Sequence, residues 1–514
     1  MFLRSQRLKI ALIGLCVLGA LRVPATQADL SRIPLLRVLI VGGGPDLQNN
    51  QVAIESNVRY LCRLLPRGTE RTILFADGNP DNPTVLYEED VRKLPAGERL
   101  LHLLLEGGEG SERAPQLYRR PNLGAKPDGA ANRAEIARSF DRLLIELTAT
   151  PRPLFLYFTG HGSPGSRDFD DNVMDLWGDR ERLSVRELAA QIQKLPASIP
   201  VTLVMVQCYS GAFANLLFED GDPQKEPVER DFTGFFAAIK ERVAAGCTSA
   251  LNEAEYRDFT SYFFAALTGR DRVGRRVTGV DYNRDGRIGM DEAFCYTLAH
   301  DASIDVPVCT SDVYLRRFVT LPDEAVFQTP YRDVLQWATP AQRYALETLS
   351  QSLGRTGEDR LLRAFQEVQA GNSKDHAAEV RRADSRFRTL RRESRRFLLQ
   401  RWPALKDADR KAEAYRRARR EAVEFLTRNA QEPEYRDLLA AAEELAQLQA
   451  KREEAEVNHA RLLRFVRLGK SVVLAHHLRT YGDTKRRERF ERLIAAEARS
   501  LLPYQGRLPE TPGL

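Results

Sequence analysis

Cysteine is scarce, with six in 514 residues, far too few for a fold stapled together by disulfides. Long apolar runs are scarcer still. Beyond the N-terminus no stretch approaches the roughly 18 consecutive apolar residues of a spanning helix, which excludes a multi-span membrane protein. The 33 glycines and 26 prolines follow no three-residue period, so the chain is not collagen-like. No internal repeat is visible. What is present, 43% hydrophobic and 29% charged residues, suits a globular chain of roughly two to four domains.

The N-terminus carries Arg4, Arg7 and Lys9, then an apolar run over 10–21, then small residues up to Ala28. This pattern predicts a cleaved secretory signal over 1–28 and an exported protein, periplasmic or extracellular. Twelve apolar residues are too few to span a bilayer, and Leu15 stands where a lipoprotein signal at Cys16 wants a small residue. Without Cys16, an odd set remains in an oxidising compartment: Cys62, Cys208, Cys247, Cys295 and Cys309. At least one is therefore expected to stay a free thiol. Cys295 and Cys309, close in sequence, are the expected pair, although spacing alone does not determine connectivity.

Four short, nearly continuous apolar runs, 36–41, 72–76, 154–158 and 201–206, read as strands buried on both faces. Helical patterns lie between them at 52–65, 131–147 and 185–193, the last opening with the capping box Ser184-x-x-Glu187. Alternation of this kind predicts an α/β domain with a mostly parallel sheet. Residues 88–127 are polar and weakly periodic and read as a long surface excursion. After Tyr331, Ala, Leu, Glu, Gln and Arg dominate, interrupted at Pro403, Pro433, Gly469 and Gly482. That segment, 331–514, reads as several amphipathic helices in a bundle or short coiled coil.

In open parallel sheets, ligands bind at the carboxyl ends of strands. Two such ends carry chemistry. The third run leads into Thr159-Gly160-His161-Gly162-Ser163, and the fourth into Gln207-Cys208-Tyr209-Ser210-Gly211. A thiol and an imidazole projecting from neighbouring strands form a sufficient kit for acyl transfer. Gly162 and Gly211 are expected to let a substrate backbone approach closely. His161 precedes Cys208 by 47 residues, close to the separation of roughly 50 that accompanies a caspase-type cysteine signature.

The stretch Tyr157-Phe158-Thr159-Gly160-His161-Gly162-Ser163-Pro164-Gly165 resembles the histidine motif of legumain-type peptidases, and Cys208-Tyr209-Ser210-Gly211 resembles their nucleophile motif. Both belong to the wider caspase-like clan. The resemblance covers roughly 35–321 by order of elements, with only the two motifs specific. It implies a three-layer α/β/α sandwich and a Cys-His dyad, with Cys208 as nucleophile and His161 as general acid and base. The backbone amides of Gly162 and Cys208 are the implied oxyanion donors. The chain departs from the pattern at Gly160, where legumain-type enzymes usually carry an acid, and at Val206-Gln207. Metacaspase-type relatives place an Asp at the position of Val206 to hold a basic P1 side chain, so P1 preference does not transfer. Asp168, Asp170, Asp171 and Glu253 are the acidic candidates near the expected groove. Cys62, Cys247 and the other histidines have no such context.

A second motif stands apart. Asp281, Asn283, Asp285, Gly286 and Glu292 satisfy every fixed position of D-x-[DN]-x-[DN]-G-x5-E, the calcium loop of an EF-hand. Side-chain oxygens of Asp281, Asn283 and Asp285, the carbonyl of Arg287 and a bidentate Glu292 would surround one Ca2+. Residues 293–300 read as the exiting helix, whereas the Gly- and Arg-rich 269–279 makes a poor entering helix, a dockerin-like arrangement.

The formal charge of +6 divides by segment. Residues 341–514 hold 37 basic and 26 acidic residues, and residues 29–340 hold 36 and 45. No nucleic-acid motif with stacking aromatics accompanies the arginines, so no nucleic-acid partner is expected. Opposite charges instead favour docking of the basic tail on the acidic domain. Together these readings predict an exported cysteine endopeptidase acting on peptide or protein substrates. The alternatives are a noncatalytic scaffold and a transamidase of the same fold.

Overall fold

Strands form where both faces of the chain are apolar. The computed structural model describes residues 36–105, 117–371, 377–406 and 412–502; the expected signal and Cys16 lie outside them. The strands are β1 Arg37–Gly43, β2 Glu70–Phe75, β3 Val85–Tyr87, β4 Leu117–Arg119, β5 Leu154–Ser163, β6 Val173–Asp175, β7 Arg182–Ser184, β8 Val201–Met205, β9 Phe232–Phe236 and β10 Val308–Cys309. The main sheet runs β10-β9-β8-β5-β1-β2. Neighbours from β9 to β2 are parallel, and β10 closes one edge antiparallel. All of β1 and β9 is buried; β1 falls on the expected run 36–41, whereas β9, interrupted by Thr233 and Gly234, was not among the expected runs. The short β6 and β7 pair antiparallel onto the far end of β5, and β3 and β4 pair separately. The chain is α/β, with a mostly parallel central sheet and a helical C-terminal region.

Connections between parallel strands are made by the helices Val52–Leu64, Arg133–Ala149 and Val185–Gln193. The last is capped as its sequence predicts: Ser184 Oγ accepts the Glu187 amide at 3.2 Å, and Glu187 Oε2 accepts the Ser184 amide at 2.8 Å.

The expected surface excursion is corrected. Within 88–127 the helix Ala96–Leu105 buries Leu100, Leu101, Leu103 and Leu104. These residues join a second hydrophobic cluster with Phe387, Leu398, Tyr415, Leu426 and Leu438. Its leucines are too dense for the wet face of a loop. Gly97 sits so close to the helix Glu413–Asn429 that an added Cβ would lie 2.6 Å from the Val423 carbonyl oxygen and closer still to Thr427 Oγ1.

The break expected at Gly469 is also corrected. Residues Pro433–Tyr481 form one 49-residue helix that starts at Pro433 and runs through Gly469. That glycine is a packing position: a Cβ there would meet the Leu361 side chain at 2.7 Å. At 1.5 Å per residue the helix is about 73 Å long. Tyr435, Leu438 and Leu445 of its first half lie in the second cluster. Leu462, Phe465 and Leu478 of its second half share the main core with β1, β5 and β8. Between them, residues 446–454 are almost wholly exposed.

Candidate active site

β5 outlasts its pairing with β8, and the overhang carries His161. The register sets Phe158 opposite Met205, and the Val206 amide continues the ladder to the Phe158 carbonyl at 3.0 Å. His161 and Cys208 each stand three residues beyond that pair. Gly162 closes the approach: a Cβ there would meet Gln207 Cγ at 2.7 Å and overlap the Cys208 carbonyl oxygen. Gly211 likewise lies against the Ala238 carbonyl oxygen, 2.6 Å from an added Cβ. The expectation that both glycines make room for a substrate is therefore corrected. They make room for the protein's own backbone.

His161 is held from one side. Its Nε2 lies 2.9 Å from the Asn49 carbonyl oxygen and 2.9 Å from Gln51 Oε1. A carbonyl only accepts, so Nε2 carries the proton and donates, leaving Nδ1 with the lone pair in the neutral ring. Burial pushes the imidazole below its ordinary range, against the opposing pull of the Asn49 carbonyl and Asp175. Asp175 sits opposite His161 in the β5–β6 ladder, accepts Ser163 Oγ at 2.6 Å and pairs with Arg182 at 3.1 Å.

Cys208 opens a sharp turn, with Tyr209 in the left-handed region at φ +60°. That turn is tied down by the Tyr209 amide donating to the Arg242 carbonyl at 2.8 Å, and by Asn172 Nδ2 donating to the carbonyls of Tyr209 and Lys240. The Cys208 sulfur accepts the Ala244 amide at 3.3 Å and faces the Ala244 carbonyl at 3.6 Å. Burial raises the thiol above its ordinary range, and the Ala244 backbone works the other way. Burial thus favours the neutral form of each group.

Ala244 is itself positioned from the helical region. Asp305 accepts the neighbouring Ala245 amide at 2.6 Å and the Phe259 amide at 3.0 Å. Arg464 of the long helix, 1% exposed, donates to the carbonyls of Asp305, Asp301 and Ser303 at 2.7, 2.5 and 2.7 Å. A few further ties bind the same face: Arg467 to Asp312 at 2.9 Å, Arg499 to Asp231 at 2.6 Å, and Lys470 to Asp323.

Sequence reasoning passed over Cys247. Its sulfur lies 3.8 Å from the Gly160 carbonyl, and burial followed by the nearby Cys208 raises its thiol. No motif surrounds it, so no sequence signal marks it. Asn49, Gln51, Cys247 and Thr248 line a polar cleft of about 470 Å³ beside His161. The acidic candidates have other partners: Asp170 pairs with Lys240 at 2.6 Å, Asp171 lies 4.0 Å from Arg186, Asp168 caps the turn Phe169–Asp171, and Glu253 pairs with Arg59 and Arg63. The expected Cys295–Cys309 disulfide is corrected, since all five described cysteines are free thiols. Cys309 instead lies 3.3 Å from Ser311 Oγ.

In the 281–292 loop, Asp281 accepts the amides of Asp285 and Gly286, Asn283 Oδ1 that of Asp285, and Asp285 that of Arg287. Gly286 has φ +82°, a turn that only glycine makes without strain. Glu292 is buried and accepts the amides of Tyr282, Asn283 and Gly289. The exiting helix is Met290–His300, and residues 269–279 form no helix. An all-oxygen donor set suits a hard cation, and the Asp281 oxygens, with one amide apiece, keep lone pairs to give it, whereas Glu292 Oε1 already accepts two amides. Among the described residues, no group of three His, Cys, Asp or Glu side chains is gathered as metal ligands.

No protein-family model and no curated protein matches the chain.

Proposed function

We propose that the chain is an exported cysteine endopeptidase of the caspase-like, legumain-like kind, with Cys208 as nucleophile and His161 as general acid and base. The observation that carries this reading is the anchoring of His161 Nε2 on the Asn49 carbonyl, at the end of the strand beside the one that leads to Cys208. It leaves Nδ1 as the proton acceptor. In this mechanism the Cys208 thiol passes its proton to Nδ1 as sulfur attacks the scissile carbonyl, and the backbone amides of Gly162 and Cys208 stabilise the oxyanion. The imidazolium then protonates the leaving amine. Water, deprotonated by His161, hydrolyses the thioester and returns the thiol. The polar cleft beside His161 is the proposed substrate approach. Resolution of the same thioester by an amine would make the protein a transamidase.

The 281–292 loop is proposed to hold Ca2+ through Asp281, Asn283, Asp285, the Arg287 carbonyl and Glu292, as a structural ion outside the chemistry. A rise in melting temperature with added Ca2+, reversed by a chelator, is the expected result; no change on chelation would remove the ion from the proposal.

An electrophilic peptide probe tests the enzyme reading. Wild-type protein should be labelled, Cys208→Ser should not, and His161→Ala should be labelled at least tenfold more slowly, the lower range of general-base effects being about a hundredfold. Equal labelling of Cys208→Ser sinks the reading. Because burial depresses His161, the base stays competent below its ordinary pKa of about 6.5. The acid limb of the rate profile is expected below that pH. One observation favours a noncatalytic scaffold instead, the raised thiol of Cys208. An unlabelled wild type would select it.

A further inference from the structure

The helix Ala377–Arg401 carries arginines at 388, 391, 392, 395 and 396. Spacings of three and four residues place all five along one side of the helix, next to the apolar seam of Ala383, Phe387 and Leu398. Three of the pairs, 388 with 392, 391 with 395, and 392 with 396, are like-charge neighbours at i,i+4, an arrangement that destabilises a helix. Some other surface arginines in the helical region offset their charge with a carboxylate at that spacing, as Arg428 does with Glu424 and Arg452 with Glu456. Among the described residues, Arg392, Arg395 and Arg396 have no ion-pair partner, and Arg388 pairs with Asp384 at 2.8 Å. With Lys406 the five arginines line a concavity of about 570 Å³ whose other walls are Leu399 and Gln400. Among the described residues no carboxylate lines it.

We propose that this concavity is a binding site for a soluble anion carrying two or more phosphate groups. Guanidinium forks match phosphate oxygens in bidentate geometry, and several of them around one hollow suit a multiply charged ligand better than a single phosphate. Arg391 is half-buried, its Nε donating to the Leu103 carbonyl at 2.7 Å, so one wall of the site is fixed on the helix Ala96–Leu105. Burial, then Arg395 and Arg388, lower its pKa, the mark of crowded cations that an anion would relieve. Among the described residues the hollow has no aromatic side chain on which a base could stack, which argues against a nucleic acid. Its concave form argues against a flat lipid surface. This inference is independent of the peptidase reading.

Full-length protein titrated with inorganic tripolyphosphate provides the test, followed by melting temperature and calorimetry. Saturable binding with a rise in melting temperature is expected. Arg392→Gln/Arg395→Gln should bind at least about tenfold more weakly, since charge-assisted hydrogen bonds are lost. Without ligand the same variant should be as stable as wild type or slightly more so, because like-charge pairs have been removed. Absence of binding to wild type overturns the proposal, and so does equal binding by the variant. Binding only to anionic phospholipid vesicles, or only to single-stranded nucleic acid, overturns it in favour of that partner.

Discussion

The region packed on the sheet and the region packed on the helix Ala96–Leu105 are both rich in arginine and use it in opposite ways. On the sheet side three guanidinium groups are buried and serve backbone: Arg464 takes three carbonyls, Arg230 the carbonyls of Ile192, Leu195, Pro196 and Ile199, and Arg489 those of Val228 and Arg230. In the second cluster the core is apolar, and arginines such as Arg392 and Arg436 face solvent. A buried guanidinium is tolerated only where its donors are matched, so the sheet-side arginines act as structural clamps. In the second cluster Arg391 alone of the proposed site reaches a backbone carbonyl, that of Leu103, while Arg392, Arg395 and Arg396 are exposed.

The most severe way to break this contrast is Arg464→Leu. It removes the donors from three carbonyls and the charge beside buried Asp301 and Asp305, and should cost about 3–5 kcal/mol in denaturant unfolding. Labelling of Cys208 should fall with it, because Asp305 holds the Ala245 amide. Intact labelling in the folded variant would cut the link between the long helix and the site. Gly97→Ala acts on the other region. Its Cβ would meet the backbone of the facing helix, at an expected cost of about 1–3 kcal/mol. Hydrogen exchange should rise in residues 96–105 and 413–429 while the sheet stays protected; uniform loss would mean that the two regions unfold as one. Gly469→Ala should cost less than Gly97→Ala, because the obstructing atoms belong to the flexible Leu361 side chain. The smallest expected effect is electrostatic. Burial sets the thiol of Cys208, and Asp175 adds to its upward shift. Asp175→Asn should therefore move the pH midpoint of Cys208 alkylation downward without altering unfolding of the second cluster.

Much of the α/β architecture is legible in the chain because strands buried on both faces leave unbroken apolar runs. His161 and Cys208 were legible as candidates because each lies within three residues of the end of such a run. The residues that surround them were not. Asn49, Gln51, Ala244 and Cys247 come from loops with no periodicity and no motif, and only the return of those loops to one sheet edge makes them neighbours. The helix Ala96–Leu105 was hidden by its Gly-, Pro- and charge-bearing flanks, although its leucines were a signal. At Gly469 the sequence suggested a stop, and packing overrode local propensity.

What the sequence determined alone is local: apolar runs that become strands, the capping box at Ser184, the oxygen-rich loop at 281–292, and the arginine stripe of 388–396, all set by contacts within a few residues. Tertiary structure alone decided which nitrogen of His161 holds the proton, which glycines serve the protein's own backbone, why two nearby cysteines remain thiols, and how a buried arginine some 250 residues downstream supports the Cys208 loop. Each depends on groups far apart in the chain meeting where water is excluded. There an unmatched donor or charge is costly enough to select a single arrangement.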